Sequence, residues 1–89
     1  METLFPLGEC VITANAKDTL NPDDVKQCLD RHARGDWGEL CQHDRQENEV
    51  ALAQRHRLFS RYKDRAGAYF YIITEHDRSV TTVLLPEDY

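Results

Sequence analysis

The sequence predicts an α+β fold in the order β-α-α-β-β-β, an antiparallel meander sheet with two helices packed on one face. Two patterns support this prediction. Apolar residues recur every three to four positions in the first half of the chain, and they alternate with period two from Arg57 onward. Helices and strands are therefore segregated along the chain, which is typical of the α+β class. A length of 89 residues predicts a single small domain over residues 1–89.

The first strand and the first helix are predicted from local signals. The segment Gly8–Ala14 is short and rich in β-branched residues, which favours a strand. A helix is predicted over Pro22–Ala33, because Asn21 is a good N-cap and proline suits the first helical position. Gly35 is placed to end this helix just after its C-cap.

A second helix is predicted to begin at Asp36, where Asp36-Trp37-Gly38-Glu39 has the spacing of a capping box. The apolar face that follows is interrupted by two polar residues four positions apart, Asp44 and Asn48. A buried carboxylate requires hydrogen-bond partners, so Asp44 is expected to meet an arginine or several N–H groups. Such a polar pair is either an internal tie or the floor of a site.

The second half of the chain predicts three strands joined by tight turns. The strands are Arg57–Lys63, Ala68–Thr74 and Ser79–Leu85, with turns at residues 64–67 and 75–78. Alternation along the middle strand places Phe70 and Ile72 on one face and Tyr69 and Tyr71 on the other. If the helices cover the first pair, the two tyrosines remain on an open face of the sheet.

This open face is the predicted binding surface. Arg61 and Lys63 alternate onto one side of their strand, and an exposed face that combines aromatic and basic residues is suited to contact a partner. Trp37 is included because tryptophan is enriched in binding hot spots, although it equally suits a small core between helix and sheet. The predicted partner-binding residues are Arg57, Arg61, Lys63, Tyr69, Tyr71 and Trp37.

The charge distribution bears on the kind of partner. The chain has 16 acidic and 11 basic residues, a net charge of −5, and most of its positive charge lies in residues 55–65. A basic stretch of this kind can bind phosphate, but the acidic remainder of the chain repels a polyanion. A protein partner or a homodimer is therefore predicted ahead of a nucleic acid.

The turn Glu75-His76-Asp77-Arg78 is the densest group of titratable residues. An acid, a base and a cation in one loop are able to support general acid–base chemistry. The alternative is a polar turn whose side chains bond their own backbone. The sequence has no phosphate loop or nucleophile motif, so no catalytic residue is assigned. The predicted polar cluster comprises Asp44, Asn48, Glu75, Asp77 and Arg78.

Cysteines and histidines suggest a second candidate site. Cys28 and His32 are four residues apart on the first predicted helix, and Cys41 and His43 follow. Zinc takes four such ligands, but this spacing matches no familiar zinc motif, and a free cysteine is often a small core residue. We predict no metal or cofactor. Reduced thiols, the absence of a membrane-length apolar run and the absence of a secretory signal in residues 1–20 predict a cytoplasmic protein without membrane contact.

Three stretches of the chain resemble a known family. They are Arg34-Gly35-Asp36-Trp37-Gly38, His56–Tyr62 (HRLFSRY) and Ile73–Pro86 (ITEHDRSVTTVLLP). Together they resemble small bacterial "plasmid-related" proteins, found on plasmids and integrated mobile elements, whose function is unknown. The resemblance implies a bacterial, cytoplasmic setting. The family motif usually has alanine where this chain has His76, which argues against a catalytic role for that histidine.

A second resemblance concerns topology alone. The predicted element order is similar to that of RelE/ParE-type toxins, although those proteins are usually basic and fold does not determine function. The leading hypothesis is a non-enzymatic protein-interaction module of a bacterial mobile element, with interference in a host or competing-element system as its purpose. The alternative is a nucleic-acid-binding or RelE-like RNA-cleaving domain that uses the basic strand within residues 55–65.

Overall fold

The computed structural model describes residues 3–89 and shows an α+β arrangement. Its elements are β1 (Glu9–Ile12), α1 (Ala14–Thr19), α2 (Pro22–Ala33), α3 (Gln42–Gln54), β2 (Leu58–Lys63), β3 (Tyr69–Thr74), β4 (Val80–Leu84) and a 3-10 helix (Pro86–Asp88). The α+β class and the approximate positions of the four strands agree with the sequence prediction. No helix within the described residues is long and apolar enough to cross a bilayer.

The sheet is mixed, so the prediction of an antiparallel meander is only partly correct. Strands β2, β3 and β4 form the expected meander, but β1 joins it parallel to β4, and the spatial order is β1-β4-β3-β2. Tight turns determine which strands of a meander are neighbours. The strand β1 is separated from β2 by three helices, so no turn specifies its partner or its direction.

The helix α1 was missed by the sequence analysis, which assigned part of it to the first strand. It is only six residues long, which is too short for a helical repeat of apolar residues to be recognised in the sequence. Thr13 caps it by accepting a hydrogen bond from the Ala16 N–H at 3.2 Å, and Ala16 is fully buried. The Thr13 cap was the one local signal that could have indicated this helix.

The helix α2 was predicted correctly, with its bounds and both ends. The Asn21 side chain accepts hydrogen bonds from the N–H groups of Asp23 and Asp24, and Pro22 occupies the first position. Gly35 follows the C-cap with a φ of +82°. The helix buries Val25 and Cys28 against the sheet.

The helix α3 begins at Gln42, six residues later than predicted. Residues 37–39 instead form an isolated bridge with Arg61 of β2: the Glu39 N–H donates to the Arg61 carbonyl at 2.7 Å, and the Arg61 N–H donates to the Trp37 carbonyl at 3.2 Å. Gly38 makes this possible, because its φ is +74° and a Cβ there would lie 2.0 Å from the Arg61 oxygen. Tertiary pairing therefore prevails over the capping-box pattern.

Two groups of apolar side chains form the core. The larger lies between helices α1 and α2 and the inner face of the sheet, and it includes Tyr62, Phe70, Ile72 and Val83. The smaller lies beside the edge of β2 and includes Phe5, Trp37, Leu40, Ala51 and Leu58. The α-helices thus cover one face of the sheet and one of its edges. The outer face has no α-helix over it, and the 3-10 helix Pro86–Asp88 contacts β3 there.

Candidate protein-binding face

The outer face of the sheet carries the aromatic and basic residues that the sequence predicted there. Strand alternation buries Leu58, Ser60 and Tyr62 on the inner side of β2 and leaves Phe59 and Arg61 half-buried on the outer side. In β3 the fully buried residues include Phe70 and Ile72, whereas Tyr69 and Tyr71 are half-buried. The predicted assignment of these residues to the two faces is confirmed. We call the surface formed by Phe59, Arg61, Lys63, Tyr69 and Tyr71 the outer face patch.

The cations of the outer face patch are held over a tyrosine ring. The antiparallel register sets Lys63 opposite Tyr69 and Arg61 opposite Tyr71. The Arg61 guanidinium carbon lies 4.2 Å from the centre of the Tyr69 ring, and the Lys63 ammonium lies 5.2 Å from it. Both distances fall within the range of cation–π attraction, so the ring orients the two cations across the strands.

The C-terminal residues extend this patch. The Tyr71 ring lies 4.7 Å from the Phe59 ring and 5.9 Å from the Tyr89 ring, measured between centres. Asp88 anchors the segment by accepting hydrogen bonds from Thr13 and Asn15 at 2.6 and 2.8 Å. Tyr89 is 72% exposed, so it adds accessible aromatic surface to the patch.

A cleft of about 410 Å³ lies between α3 and the outer face patch. Asp44 and Glu47 line its helix side, and Arg57, Phe59 and Tyr71 line its sheet side. One wall therefore carries negative charge and the other carries aromatic rings and positive charge. Arg57 also forms an exposed ion pair with Glu75, with 3.4 Å between Nη2 and Oε1.

The predicted roles of Asp44 and Asn48 separate in the structure. Asn48 is buried, and its side-chain amide forms two hydrogen bonds with the backbone of Phe59 in β2. Its nitrogen donates to the Phe59 carbonyl at 2.5 Å, and its oxygen accepts the Phe59 N–H at 3.1 Å. Asp44 is exposed, so the prediction of a buried, partnered carboxylate is wrong. Because α3 begins late, Asp44 lies in its first turn, where negative charge is favoured.

Trp37 is a core residue and does not belong to the binding surface. It is 4% exposed, and its ring lies beside those of Phe5 and His32. Its indole N–H donates to Glu49 at 2.9 Å. The segment that carries Trp37 pairs with the edge of β2, and this pairing turns the indole inward.

The turn between β3 and β4 does not assemble an active site. Glu75 pairs with Arg57, and Asp77 accepts hydrogen bonds from the N–H and the hydroxyl of Ser79. Arg78 has a φ of +60° and is buried, and its guanidinium donates to backbone carbonyls of His56, Glu75 and Ala51. The three side chains have separate partners, so the turn matches the interpretation as a polar hairpin turn.

The four cysteine and histidine residues considered for zinc do not converge either. Cys28 lies in the core, where burial raises the pKa of its thiol. His32 is fully buried among hydroxyl groups, whereas Cys41 and His43 are exposed. Within residues 3–89 no three His, Cys, Asp or Glu side chains are arranged to hold a metal ion. All three cysteines of the chain are free.

The inner face of the sheet carries a buried network of hydrogen-bonded polar side chains that the sequence analysis did not predict. Thr81 donates its only hydroxyl proton to the Leu7 carbonyl at 2.6 Å, so it must accept from Thr74 at 2.7 Å. Thr74 then accepts the Nε2 proton of His32 at 2.9 Å. Burial lowers the pKa of His32 to about 3, so the ring is neutral and carries its proton on Nε2. The unprotonated Nδ1 then accepts from Ser60 at 2.5 Å. The inner-face positions of Ser60, Thr74 and Thr81 in the strands were a usable signal for these contacts.

Comparisons with protein-family models, with curated proteins and with solved structures find no match to this chain. The resemblance to the plasmid-related family therefore remains a prediction. The geometry of the outer face and its cleft is the basis for a proposal of function.

Proposed function

We propose that this chain is a non-enzymatic protein-interaction module that binds its partner through the outer face patch. One observation supports this most directly: a sheet face without a covering α-helix carries adjacent half-buried aromatic rings and two cations, Arg61 and Lys63. Aromatic residues and arginine are enriched at the centres of protein interfaces. Packing of a partner on this face would exclude water from the rings of Phe59, Tyr69 and Tyr71.

The charges around the patch favour a protein segment as the ligand. Arg61 and Lys63 make no ion pair within residues 3–89, so they are free to meet acidic side chains of a partner. The opposite wall of the cleft carries Asp44 and Glu47, which would repel a continuous phosphate backbone. A segment with apolar residues flanked by acidic ones complements the patch, with any basic residue directed to the helix wall.

The proposal includes the biological setting implied by the sequence resemblance. A module encoded by a bacterial mobile element would act on a protein of its host or of a competing element. The resemblance of residues 34–38, 56–62 and 73–86 to plasmid-related proteins supports this setting. A homodimer formed through the same patch is the competing arrangement.

The test is capture from bacterial lysate with a tagged full-length chain, with and without nuclease, followed by mass spectrometry. A bound protein should persist after nuclease treatment. Its affinity for purified chain should then fall roughly 30-fold in Tyr71→Ala, because removal of an interface hot spot costs about 2 kcal/mol or more. Circular dichroism of the variant verifies that it is folded.

Val50→Ala is the matched control, because Val50 is 47% exposed on α3 and does not line the cleft. It should leave affinity unchanged. Equal affinity of wild type and Tyr71→Ala would refute the placement of the site. Loss of all bound protein after nuclease, with loss of nucleic-acid binding in the combined variant Arg57→Ala and Arg61→Ala, would favour the nucleic-acid alternative. Sedimentation equilibrium of the purified chain tests the homodimer.

A further inference from the structure

A second cleft lies away from the outer face patch, between the N-terminal segment and the C-terminal end of α3. It has a volume of about 340 Å³, within the range of small-molecule sites. Five of its seven lining residues are apolar, and two guanidinium groups supply its charge. The residues used below are Leu4, Phe5, Pro6, Leu52, Arg55 and Arg78. No acidic side chain within the described part of the chain lines this cleft.

Arg78 is a buried cation whose hydrogen bonds go only to neutral acceptors. It is 6% exposed, and its guanidinium carbon lies 5.6 Å from the centre of the Phe5 ring. Nη1 donates to the carbonyls of His56 and Glu75 at 2.6 and 3.1 Å, and Nη2 donates to the Ala51 carbonyl at 3.2 Å. No carboxylate within residues 3–89 is paired with it. Buried charges in proteins are normally paired, so this guanidinium lacks its usual counter-ion.

Part of the Arg78 guanidinium remains available to a ligand. Arginine has five N–H donors, and three are used by the carbonyls. The Nε–H and one Nη2–H have no acceptor within residues 3–89. No fully buried side-chain nitrogen in the described chain lacks a partner, so Nε must reach accessible space. Nε and Nη2 form the planar edge of arginine that holds a carboxylate with two parallel hydrogen bonds.

Arg55 brings a second cation to the same cleft. It is the C-cap of α3 with a φ of +59°, a left-handed conformation that is uncommon for residues other than glycine. It is exposed, and its side chain forms no ion pair within residues 3–89. Both arginines line the cleft, and burial, and then the charge of Arg55, lower the pKa of Arg78.

We propose that this cleft binds an organic carboxylate with a short apolar chain. The carboxylate lies on the Nε and Nη2 edge of Arg78, and Arg55 supplies the second positive charge. The apolar chain lies along Leu4, Phe5, Pro6 and Leu52. A carboxylate matches the positive charge of the two arginines and the planar edge of Arg78. An apolar chain matches the apolar lining residues, including Leu4, which is 55% exposed.

The test follows the arginine Nε–Hε resonances of the ¹⁵N-labelled full chain by NMR during titration with sodium hexanoate. A saturable shift of the Arg78 resonance is expected. Hexan-1-ol and sodium phosphate at matched ionic strength are the control ligands. Hexan-1-ol should bind at least about tenfold more weakly, because a hydrogen bond to a charged group contributes about 1.5–3 kcal/mol. Phosphate should also bind at least about tenfold more weakly, because it has no apolar chain to bury against the cleft. Acetyl-Leu-Leu with a free C-terminus, compared with its amide, distinguishes a polypeptide end from a free acid as the source of the carboxylate.

Variants make the proposal falsifiable without disturbing the core. Arg55→Gln should weaken hexanoate about tenfold. Arg34→Gln, which changes an exposed arginine paired with Asp30, should leave binding unchanged. Leu4→Ala should weaken hexanoate but not acetate. The absence of a saturable shift, or equal binding of hexanoate and hexan-1-ol, would overturn the proposal. Equal binding of hexanoate and phosphate would overturn the inference that the ligand has an apolar chain. None of these variants lies on the outer face patch, so the result is independent of the proposed protein partner.

Discussion

The two faces of the sheet are built from alternate residues of the same strands, but they satisfy polar groups in different ways. On the inner face, Ser60, Thr74 and Thr81 lie among apolar side chains: Ser60 and Thr74 both bond His32, and Thr74 bonds Thr81 directly. On the outer face, Arg61 and Lys63 remain in contact with water and lie over the Tyr69 ring. The inner polar groups have one arrangement in which every donor finds an acceptor, whereas the outer groups can exchange their contacts for a partner.

This difference explains why the outer face is available for binding and the inner face is not. A buried polar group that loses its hydrogen-bond partner costs about 1–3 kcal/mol of stability, so the hydrogen-bond network of the inner face resists rearrangement. A cation over an exposed ring contributes only about 0.5–1 kcal/mol, so a partner can displace or extend that contact at low cost. Three predictions test this contrast, beginning with the largest effect.

Truncation of adjacent residues on opposite faces should have very different effects on stability. Phe70 is fully buried, so Phe70→Ala should lower the free energy of unfolding by about 3–5 kcal/mol. Tyr69→Ala, on the half-buried outer side, should cost about 1 kcal/mol. Urea denaturation measures both. Equal losses would show that the outer face is as tightly packed as the inner face.

Acid should destabilise the protein through the inner face. The pKa of His32 is about 3 in the folded chain, against an ordinary 6.5, so between these values the unfolded chain binds a proton that the folded chain does not. The free energy of unfolding should therefore decrease as the pH falls, by about 1.4 kcal/mol per pH unit well below 6.5. Denaturation between pH 6 and 4.5 measures this slope, and the upper part of the interval lies above the usual pKa values of carboxylates.

The variant His32→Gln removes the titrating group and serves as the control for this slope. Its stability should depend much less on pH over the same interval, whatever its absolute stability. A wild-type chain whose stability stays constant from pH 6 to 4.5 would contradict a buried, neutral His32.

The smallest effect is expected for a cation of the outer face. Arg61→Ala should lower the free energy of unfolding by about 0.5–1 kcal/mol. The substitution removes the cation from the Tyr69 ring without burying any additional group. Arg34→Ala provides the baseline for loss of an exposed arginine, at most about 0.5 kcal/mol. A loss above about 2 kcal/mol would indicate that Arg61 supports the fold instead of remaining free for binding.

The amino-acid sequence by itself determined the parts of the fold that depend on nearby residues. The helix over Pro22–Ala33 follows from Asn21, Pro22 and Gly35, all within one turn of its ends. The three C-terminal strands follow from alternation and from two short turns. The same alternation assigned Tyr69 and Tyr71 to the outer face, so much of the proposed binding surface was predicted. Local geometry is encoded within a few residues, and the pattern alone is sufficient there.

Only the tertiary structure decided the features that depend on distant pairs. The parallel partner of β1, the late start of α3 and the burial of Trp37 all arise from contacts between segments far apart in the chain. The same holds for Asn48, which hydrogen-bonds to Phe59 of β2, and for Arg78, which hydrogen-bonds to the Ala51 and His56 carbonyls at the C-terminal end of α3. Hydrogen-bonding capacity can be read from the sequence, but the identity of the partner cannot. Partners are selected by the packing that brings two segments together.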